Sequence, residues 1–271
     1  MLHKPDFRGA GLKRGRATKH VEVLEASIDE FMKSKRDSVT EQLDLETRQP
    51  SYERITQNPD DDWGLMIGDA AHNFRSCLDH IAWQLARITV DRPDKRLEFP
   101  IFKDRGAYFK TAKGGGLYKI NELLPKDQGI ITDFQPHKRT QGPEQDPLWI
   151  LYELRNIDTH RKLHTTVVSV PPPKDTFAVI RDVSKGTVQI GIRNGTDEPK
   201  WLDRPIDLDR INWRTGTRIT FQTKREGNFP GFVAINEIDS PPIHGQDVLA
   251  LLWLVETRVS EVLRRFEAEY P

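Results

Sequence analysis

The stretch IGDAAHNFRSCLDHIAW, residues 67–83, decides how the chain is expected to fold, because it reads as one long helix with two unlike sides. At about 100° per residue, its apolar residues fall on one broad side. The opposite third holds Asp69, His72, Asn73, Ser76, Asp79, His80 and Trp83. A helix that faces water normally carries long charged side chains there, yet residues 65–86 contain no Lys and no Glu. We therefore expect a central helix that is covered on both sides, whose polar atoms find partners within the protein.

A second helix with a polar side is predicted over residues 146–163, DPLWILYELRNIDTHRKL. Asp146 is expected to cap its first turn, and Pro147 suits the first helical position, where its missing N–H would have no helical partner. One side of this helix carries Trp149, Glu153, Asn156, His160 and His164. If the two helices pack antiparallel, their polar sides meet.

The periodicity of the rest of the chain predicts the fold class. Residues 165–242 alternate as short strands do, and apolar residues at helical spacing return in residues 243–271, the C-terminal helix. Each amphipathic helix must bury its apolar stripe against another element. We predict an α+β fold, a bundle of about four long helices with a small antiparallel β-sheet inserted before the C-terminal helix. In this interpretation residues 1–164 form the helical region, with a small hairpin at about 38–57.

The charge balance limits the classes of partner. Lys plus Arg and Asp plus Glu both number 41, so no global field would attract nucleic acid, and any such contact must come from a local patch. One such patch is the first twenty residues, which hold six Lys or Arg and one Asp. This basic segment is interpreted either as an arm that contacts phosphates or as a frayed terminus, with a helix beginning near Val21.

Cysteine content and hydropathy indicate the compartment. Cys77 is the single cysteine, which excludes an internal disulfide and a cysteine-based zinc cluster. No apolar run approaches the ~20 residues of a membrane span, and the N-terminus lacks the apolar core of a signal peptide. We expect a cytoplasmic protein without membrane contacts.

The two polar helix sides admit two functional interpretations. They form either a ligand-binding or catalytic site between helices, or a buried hydrogen-bond network that fixes helix register in an interaction or scaffold protein. The candidate ligand-binding residues are His72, Asn73, Asp69, Asp158 and Glu153. Histidine suits general acid–base chemistry, because its free pKa of about 6.5 lies near neutral pH. The sequence leaves both interpretations open.

The segment RNIDTH, residues 155–160, resembles the R-x4-H motif of the HEPN ribonucleases, which are helical proteins of bacterial toxin and defence systems. The resemblance implies cleavage of RNA, or binding of a phosphate-bearing ligand, without metal or cofactor and usually across a homodimer. It implies that His160 acts with the ribose 2′-hydroxyl, that Arg155 holds the phosphate and that Asn156 orients them.

The segment RSCLDH, residues 75–80, has the same spacing on the first polar helix. By the same resemblance, His80 is a second acid–base candidate, Arg75 a second phosphate ligand and Asp79 an orienting residue. Both copies end in the unusual polar sides.

A longer resemblance covers most of residues 60–165. The stretch at 67–83, together with FPIF at 99–102, FQP at 134–136 and LWILYELRNIDTHRKL at 148–163, is similar to a family of bacterial, often actinobacterial, proteins. This resemblance implies no activity.

A metal-dependent hydrolase is the third interpretation. His160 and His164 stand at i and i+4, a chelating spacing on a helix. The carboxylates and the imidazole that would complete such a site are Asp69, Asp79, Glu153 and His72. The doubled Glu-x-x-His signature of di-iron bundles is absent.

Overall fold

The structure is a computed structural model, which divides into two compact units. The helical unit comprises Met1–Phe31, Asn58–Val168 and Phe232–Pro271, and the β unit comprises Met32–Gln57 and Ser169–Gly231. The residues that the structure describes are 3–34, 37–44, 49–55, 59–60, 62–139, 142–160, 163–169, 176–184, 187–194, 200–201, 206–207, 220–227, 231–237 and 239–271.

Four long helices dominate the helical unit. They are α1 (Arg8–Ser34), α2 (Asp62–Ala86), α6 (Pro147–His160) and α7 (Val248–Glu269). Three short helices lie between α2 and α6, namely α3 (Arg105–Tyr108), α4 (Gly116–Lys119) and α5 (Pro125–Asp133). Strands β3 (Thr165–Ser169) and β9 (Gly231–Ile235) pair with each other before α7 begins. The predicted α+β class, with long helices and a small sheet before the C-terminal helix, is confirmed.

The remaining strands belong to the β unit. They are β1 (Asp37–Asp44), β2 (Gln49–Ile55), β4 (Thr176–Ser184), β5 (Thr187–Asn194), β6 (Lys200–Trp201), β7 (Ile206–Asp207) and β8 (Thr220–Gly227). One sheet has the order β2-β1-β8, and a second has the order β4-β5-β6, with β7 also paired to β5. The pairings given by register are antiparallel, with Ser38 opposite Ile55 in the first sheet and Ile180 opposite Ile190 in the second.

The hairpin expected at about 38–57 corresponds to β1 and β2; its residues 45–48 and 56–57 lie outside the described residues. The sequence pattern places this hairpin in the helical region, whereas β1 also pairs with β8 along its full length. The hairpin therefore belongs to the β unit. Alternation shows which residues share a face of a strand, but it does not reveal which distant strand forms hydrogen bonds with the free edge of the hairpin.

The basic N-terminal segment is helical, so the expected start of the first helix near Val21 is wrong. The α1 helix begins at Arg8, whose backbone N–H donates to the Asp6 carboxylate at 2.9 Å, as at a capped helix start. Its buried stripe also starts early, since Ala10 and Ala17 are buried in line with the later apolar residues. Lys and Arg are good helix formers, so a basic composition does not interrupt a helix.

Contacts between the helices show how they run relative to one another. The Trp63 indole N–H donates to the Ser27 hydroxyl at 2.9 Å, and His80 lies against Gly9, so α1 and α2 run antiparallel. The α7 helix contacts α1 where the Arg14 guanidinium donates to the Ser260 hydroxyl at 3.0 Å, and its Phe266 ring lies 6.3 Å from the ring of Phe7, just before α1. The largest buried side chains of the helical unit are Trp63, Tyr108, Phe74, Phe99, Phe266, Leu24, Ile67, Leu78, Ile81, Leu85 and Ile120. In the described part of the chain, no helix is both long and apolar enough to cross a membrane.

Candidate functional site

The polar side of α2 is largely open to solvent, so the expectation of a helix covered on both sides is wrong. Asp69, His72 and His80 are exposed, and Trp83 is 43% exposed. The reason is the placement of the neighbours: α1 meets one edge of this side at Gly9, and α6 meets the other edge. The polar side remains as an exposed stripe between them, which we call the α2 stripe.

Two glycines of α2 bring α6 close at one end of this stripe. A Cβ atom at Gly68 would lie less than 3.0 Å from the Asp158 carboxylate, and one at Gly64 would lie less than 3.0 Å from the Leu163 carbonyl oxygen. Earlier residues of α2 thus face later residues of α6, so these helices are antiparallel. The sequence prediction included neither glycine, although their i, i+4 spacing on a helix is a signal of close approach.

Charged groups from both helices meet at this close approach. Burial is the main reason why the pKa of Asp158 is raised above its ordinary value of 3.8, and the nearby Asp69 carboxylate raises it further. His72 and Arg155 act in the opposite direction on the pKa of the same carboxyl group. We call these four residues the α2/α6 cluster. A partly buried carboxyl with a shifted pKa, beside an imidazole and a guanidinium on an exposed surface, is typical of a functional site.

The raised pKa of Asp158 leads to a stability prediction. The folded protein holds this proton more tightly than the unfolded chain, so stability is lost as the pH rises from 3.8 through the folded value. The substitution Asp158→Asn keeps the shape of the side chain but removes the charge. We expect this variant to be more stable than the wild type at about pH 7, and the difference to vanish below the ordinary pKa of aspartate. Urea denaturation at both pH values checks this, and an Asp158→Asn variant that is less stable than the wild type at neutral pH contradicts it.

Arg75 and Asp79 serve the fold, and the structure does not place them at an open site. The Arg75 Nε and Nη2 atoms donate to the two oxygens of Asp79 at 3.1 and 2.9 Å. Asp79 also accepts the backbone N–H of Phe99 at 2.9 Å, and Glu98 lies 3.6 Å from the Arg75 guanidinium. Arg75 is buried and bidentately paired one turn along its own helix. It is thus unavailable as the phosphate ligand that the spacing suggested.

His80 and His160 are not brought together within one chain. From Gly68, which faces Asp158, His80 lies twelve residues further along α2, while His160 lies beyond Asp158 in the opposite axial direction. At 1.5 Å per residue, the two imidazoles are separated by about 20 Å along the helices. The interpretation that pairs them at one catalytic centre of a single chain is therefore corrected.

The remaining predicted residues lie on α6 and on the adjoining part of α2. Arg155, Asn156 and His160 are exposed, and Asn73 of α2 donates from its side chain to the Asp69 carbonyl oxygen at 2.8 Å. At the far edge, Glu153 accepts a hydrogen bond from the Ser240 hydroxyl at 3.3 Å. The polar residues of α2 and α6 thus form a surface at one end of the two helices, and not a cleft between them.

The side chains of the metal interpretation are held apart by other contacts. Asp79 is occupied by Arg75, and His164 donates its backbone N–H to Glu237 at 2.9 Å, with its Nδ1 atom 3.2 Å from the same oxygen. Among the residues that the structure describes, no three His, Cys, Asp or Glu side chains lie together as a metal site requires. His160 and His164 do not share a helix side, because His164 is not helical and pairs with Glu237.

Comparisons with protein-family models, with curated proteins and with solved structures found no match to this chain.

Proposed function

We propose that the chain is a metal-independent ribonuclease of the HEPN type, whose site is the α2/α6 cluster with the adjoining outer side of α6. The observation that carries the proposal is the position of the Asp158 carboxylate against Gly68, one helical turn before the exposed His72, with the exposed Arg155 one turn before Asp158 on α6. An acid–base group, a carboxylate to orient it and a cation for phosphate are what cleavage of RNA by its own 2′-hydroxyl needs.

Three residues of the cluster, His72, Asp158 and Arg155, have roles in the proposed reaction. His72, oriented by Asp158, takes the proton of the ribose 2′-hydroxyl, and the 2′ oxygen then forms a bond to phosphorus. The bond from phosphorus to the 5′ oxygen breaks, water protonates that oxygen, and the imidazolium returns its proton to solvent. The products are a 2′,3′-cyclic phosphate and a 5′-hydroxyl. Arg155 binds the phosphate oxygens, and no external oxidant, reductant or metal takes part.

The assignment differs from the HEPN resemblance in two respects, since Asp158 also takes the orienting role that the resemblance gives to Asn156. His72 takes the role that the resemblance gives to His160, because His72 stands one helical turn beyond Gly68, against which the Asp158 carboxylate packs. Asn156 and His160 share the exposed side of α6 one turn apart, where they are placed to contact the neighbouring nucleotide. The exposure of these side chains also supports a surface site over a buried register-fixing network, since such a network requires side chains removed from water.

Single substitutions test the proposal. We expect His72→Ala to lower kcat for a short single-stranded RNA by about 100-fold or more, the range of general acid–base catalysis. Arg155→Ala is expected to lower kcat and to weaken binding, and Asp158→Asn to lower kcat while it raises stability. His160→Ala is expected to act mainly on KM. Cleavage is followed by gel electrophoresis, with product ends identified by mass spectrometry.

The controls separate catalysis from folding and from metal contamination. His3→Ala is the matched histidine control, since His3 lies beside Asp91 and Arg87, away from the cluster. Melting temperatures of the His72 and His160 variants should stay near that of the wild type, as is usual for exposed positions. Activity that disappears with a chelator, or a wild-type protein that never cleaves RNA, contradicts the proposal. Marked destabilisation of both variants would instead indicate the structural network.

A further inference from the structure

One side of α1 faces α2 and meets the α2 stripe at His80. Gly9 packs against His80, with an ideal Cβ position 3.1 Å from the imidazole Nδ1 atom, and Ser27 accepts the Trp63 indole N–H. The two positions are eighteen residues apart, which is about five helical turns, so they mark the same side of α1. Side chains on that side between them therefore face α2, and those nearest Gly9 border the stripe.

The residues on this edge are basic. Lys13, Arg16 and His20 follow Gly9 at i+4, i+7 and i+11, which are positions on one helix side. Arg16 is exposed and Lys13 half-buried, and neither forms an ion pair with another residue of the described part of the chain. Arg14 points elsewhere and donates to the Ser260 hydroxyl at 3.0 Å. We call Lys13, Arg16 and His20 the α1 basic edge.

An aromatic side chain ends the stripe. Trp83 is 43% exposed, although tryptophan is usually well buried, and it lies about 16 Å along α2 from His72. Arg155 of the α2/α6 cluster borders the other side of the stripe near His72. Cations thus border the stripe on both sides, and a flat aromatic surface lies at its far end. A path of positive charge with an exposed aromatic ring is the usual arrangement for single-stranded nucleic acid.

We propose that the α1 basic edge and Trp83 form a binding surface that carries a single RNA strand along the α2 stripe toward the α2/α6 cluster. The inference rests on the proposed function, since it extends that site to nucleotides outside the reacting bond. Lys13 and Arg16 contact successive phosphates, and a base stacks on the Trp83 ring. We assign a polyanion as the occupant. The chain as a whole has no net charge, so electrostatic attraction at this place comes from the local concentration of cations.

Binding of two uncleavable 2′-O-methyl RNAs tests the surface: a dinucleotide and a single strand of about ten nucleotides. The double substitution Lys13→Ala/Arg16→Ala is expected to weaken binding of the longer strand about tenfold. It should also reduce the slope of log K against log salt by roughly 1.4, or about 0.7 for each phosphate that is no longer bound by a cation. Trp83→Ala is expected to weaken the same binding about tenfold, and Trp83→Phe to restore most of it. Dinucleotide binding should not change.

Matched controls lie elsewhere on the protein. Lys110→Ala/Lys113→Ala removes the same charge from exposed positions, and Phe109→Ala removes an aromatic ring with the same 43% exposure as Trp83. Fluorescence anisotropy measures affinity, and circular dichroism verifies folding of each variant. An equal decrease of RNA affinity in the control variants contradicts the proposed binding surface.

The outcomes separate this inference from the proposed function. If the variants bind the longer strand as the wild type does, while His72→Ala still abolishes cleavage, the proposed binding surface is rejected and the proposed ribonuclease function is retained. If the wild type neither binds nor cleaves RNA, both are overturned. If sedimentation shows a wild-type dimer that Trp83→Ala or Lys13→Ala/Arg16→Ala dissociates, the stripe is an interface with a second copy of this chain, and the proposed RNA surface is rejected.

Discussion

Replacing Gly64 with alanine is expected to lower the free energy of unfolding by about 2–3 kcal/mol, the cost of overpacking a tight contact. A Cβ atom there would lie less than 3.0 Å from the Leu163 carbonyl oxygen, and a backbone atom cannot rotate away as a side chain does. The chain after α6 would have to move away from α2. Urea denaturation followed by circular dichroism measures the change.

The same substitution elsewhere in a helix supplies the control. Gly11 and Gly15 of α1 have no atoms within 4 Å of the position that a Cβ would take. Gly11→Ala and Gly15→Ala are expected to raise stability by about 0.5–1 kcal/mol each, because alanine loses less backbone entropy in a helix than glycine. A Gly64→Ala protein as stable as these two would show that α2 and α6 are not in close contact at this end.

Replacing Asp79 with alanine is expected to lower the free energy of unfolding by about 2–3 kcal/mol, because it leaves the buried Arg75 guanidinium without its bidentate partner. The backbone N–H of Phe99 loses its acceptor in the same change. Thermal and urea denaturation measure the decrease. RNA cleavage per folded molecule is expected to remain, since neither Asp79 nor Arg75 belongs to the proposed site.

Asp69 is the matched comparison on the same helix. It is exposed, so Asp69→Ala is expected to change stability by no more than about 0.5 kcal/mol. If Asp79→Ala kept full stability but abolished cleavage, Asp79 would take part in the reaction, as the spacing of residues 75–80 suggested.

The contrast between Arg75 and Arg155 explains why spacing alone misplaces site residues. Both begin an Arg-x4-His segment on a long helix, and the spacing of Arg and His alone does not tell them apart. Arg75 has Asp79 one turn later and the loop with Glu98 beside it, so its charge is satisfied internally. Arg155 is exposed on α6. The difference lies in which neighbour the fold brings to each residue.

The polar side of α2 shows a similar limit. Its composition differs from that of an ordinary water-facing side, but composition does not show whether protein or solvent covers it. That depends on where α1 and α6 pack, which is set by Gly9, Gly64 and Gly68 together with apolar residues far apart in the chain. Two glycines four residues apart are visible in the sequence, yet their partner helix is not.

The sequence by itself determined the α+β class, the amphipathic helices and the composition of the polar sides, because periodicity and capping are local properties of the chain. Only the tertiary structure decided that β1 joins β8, that Arg75 is buried with Glu98 beside it, and that the Asp158 carboxylate lies against Gly68, one turn from His72. These facts depend on contacts between residues distant in sequence. Such contacts are chosen by the packing of whole elements, which no short segment encodes.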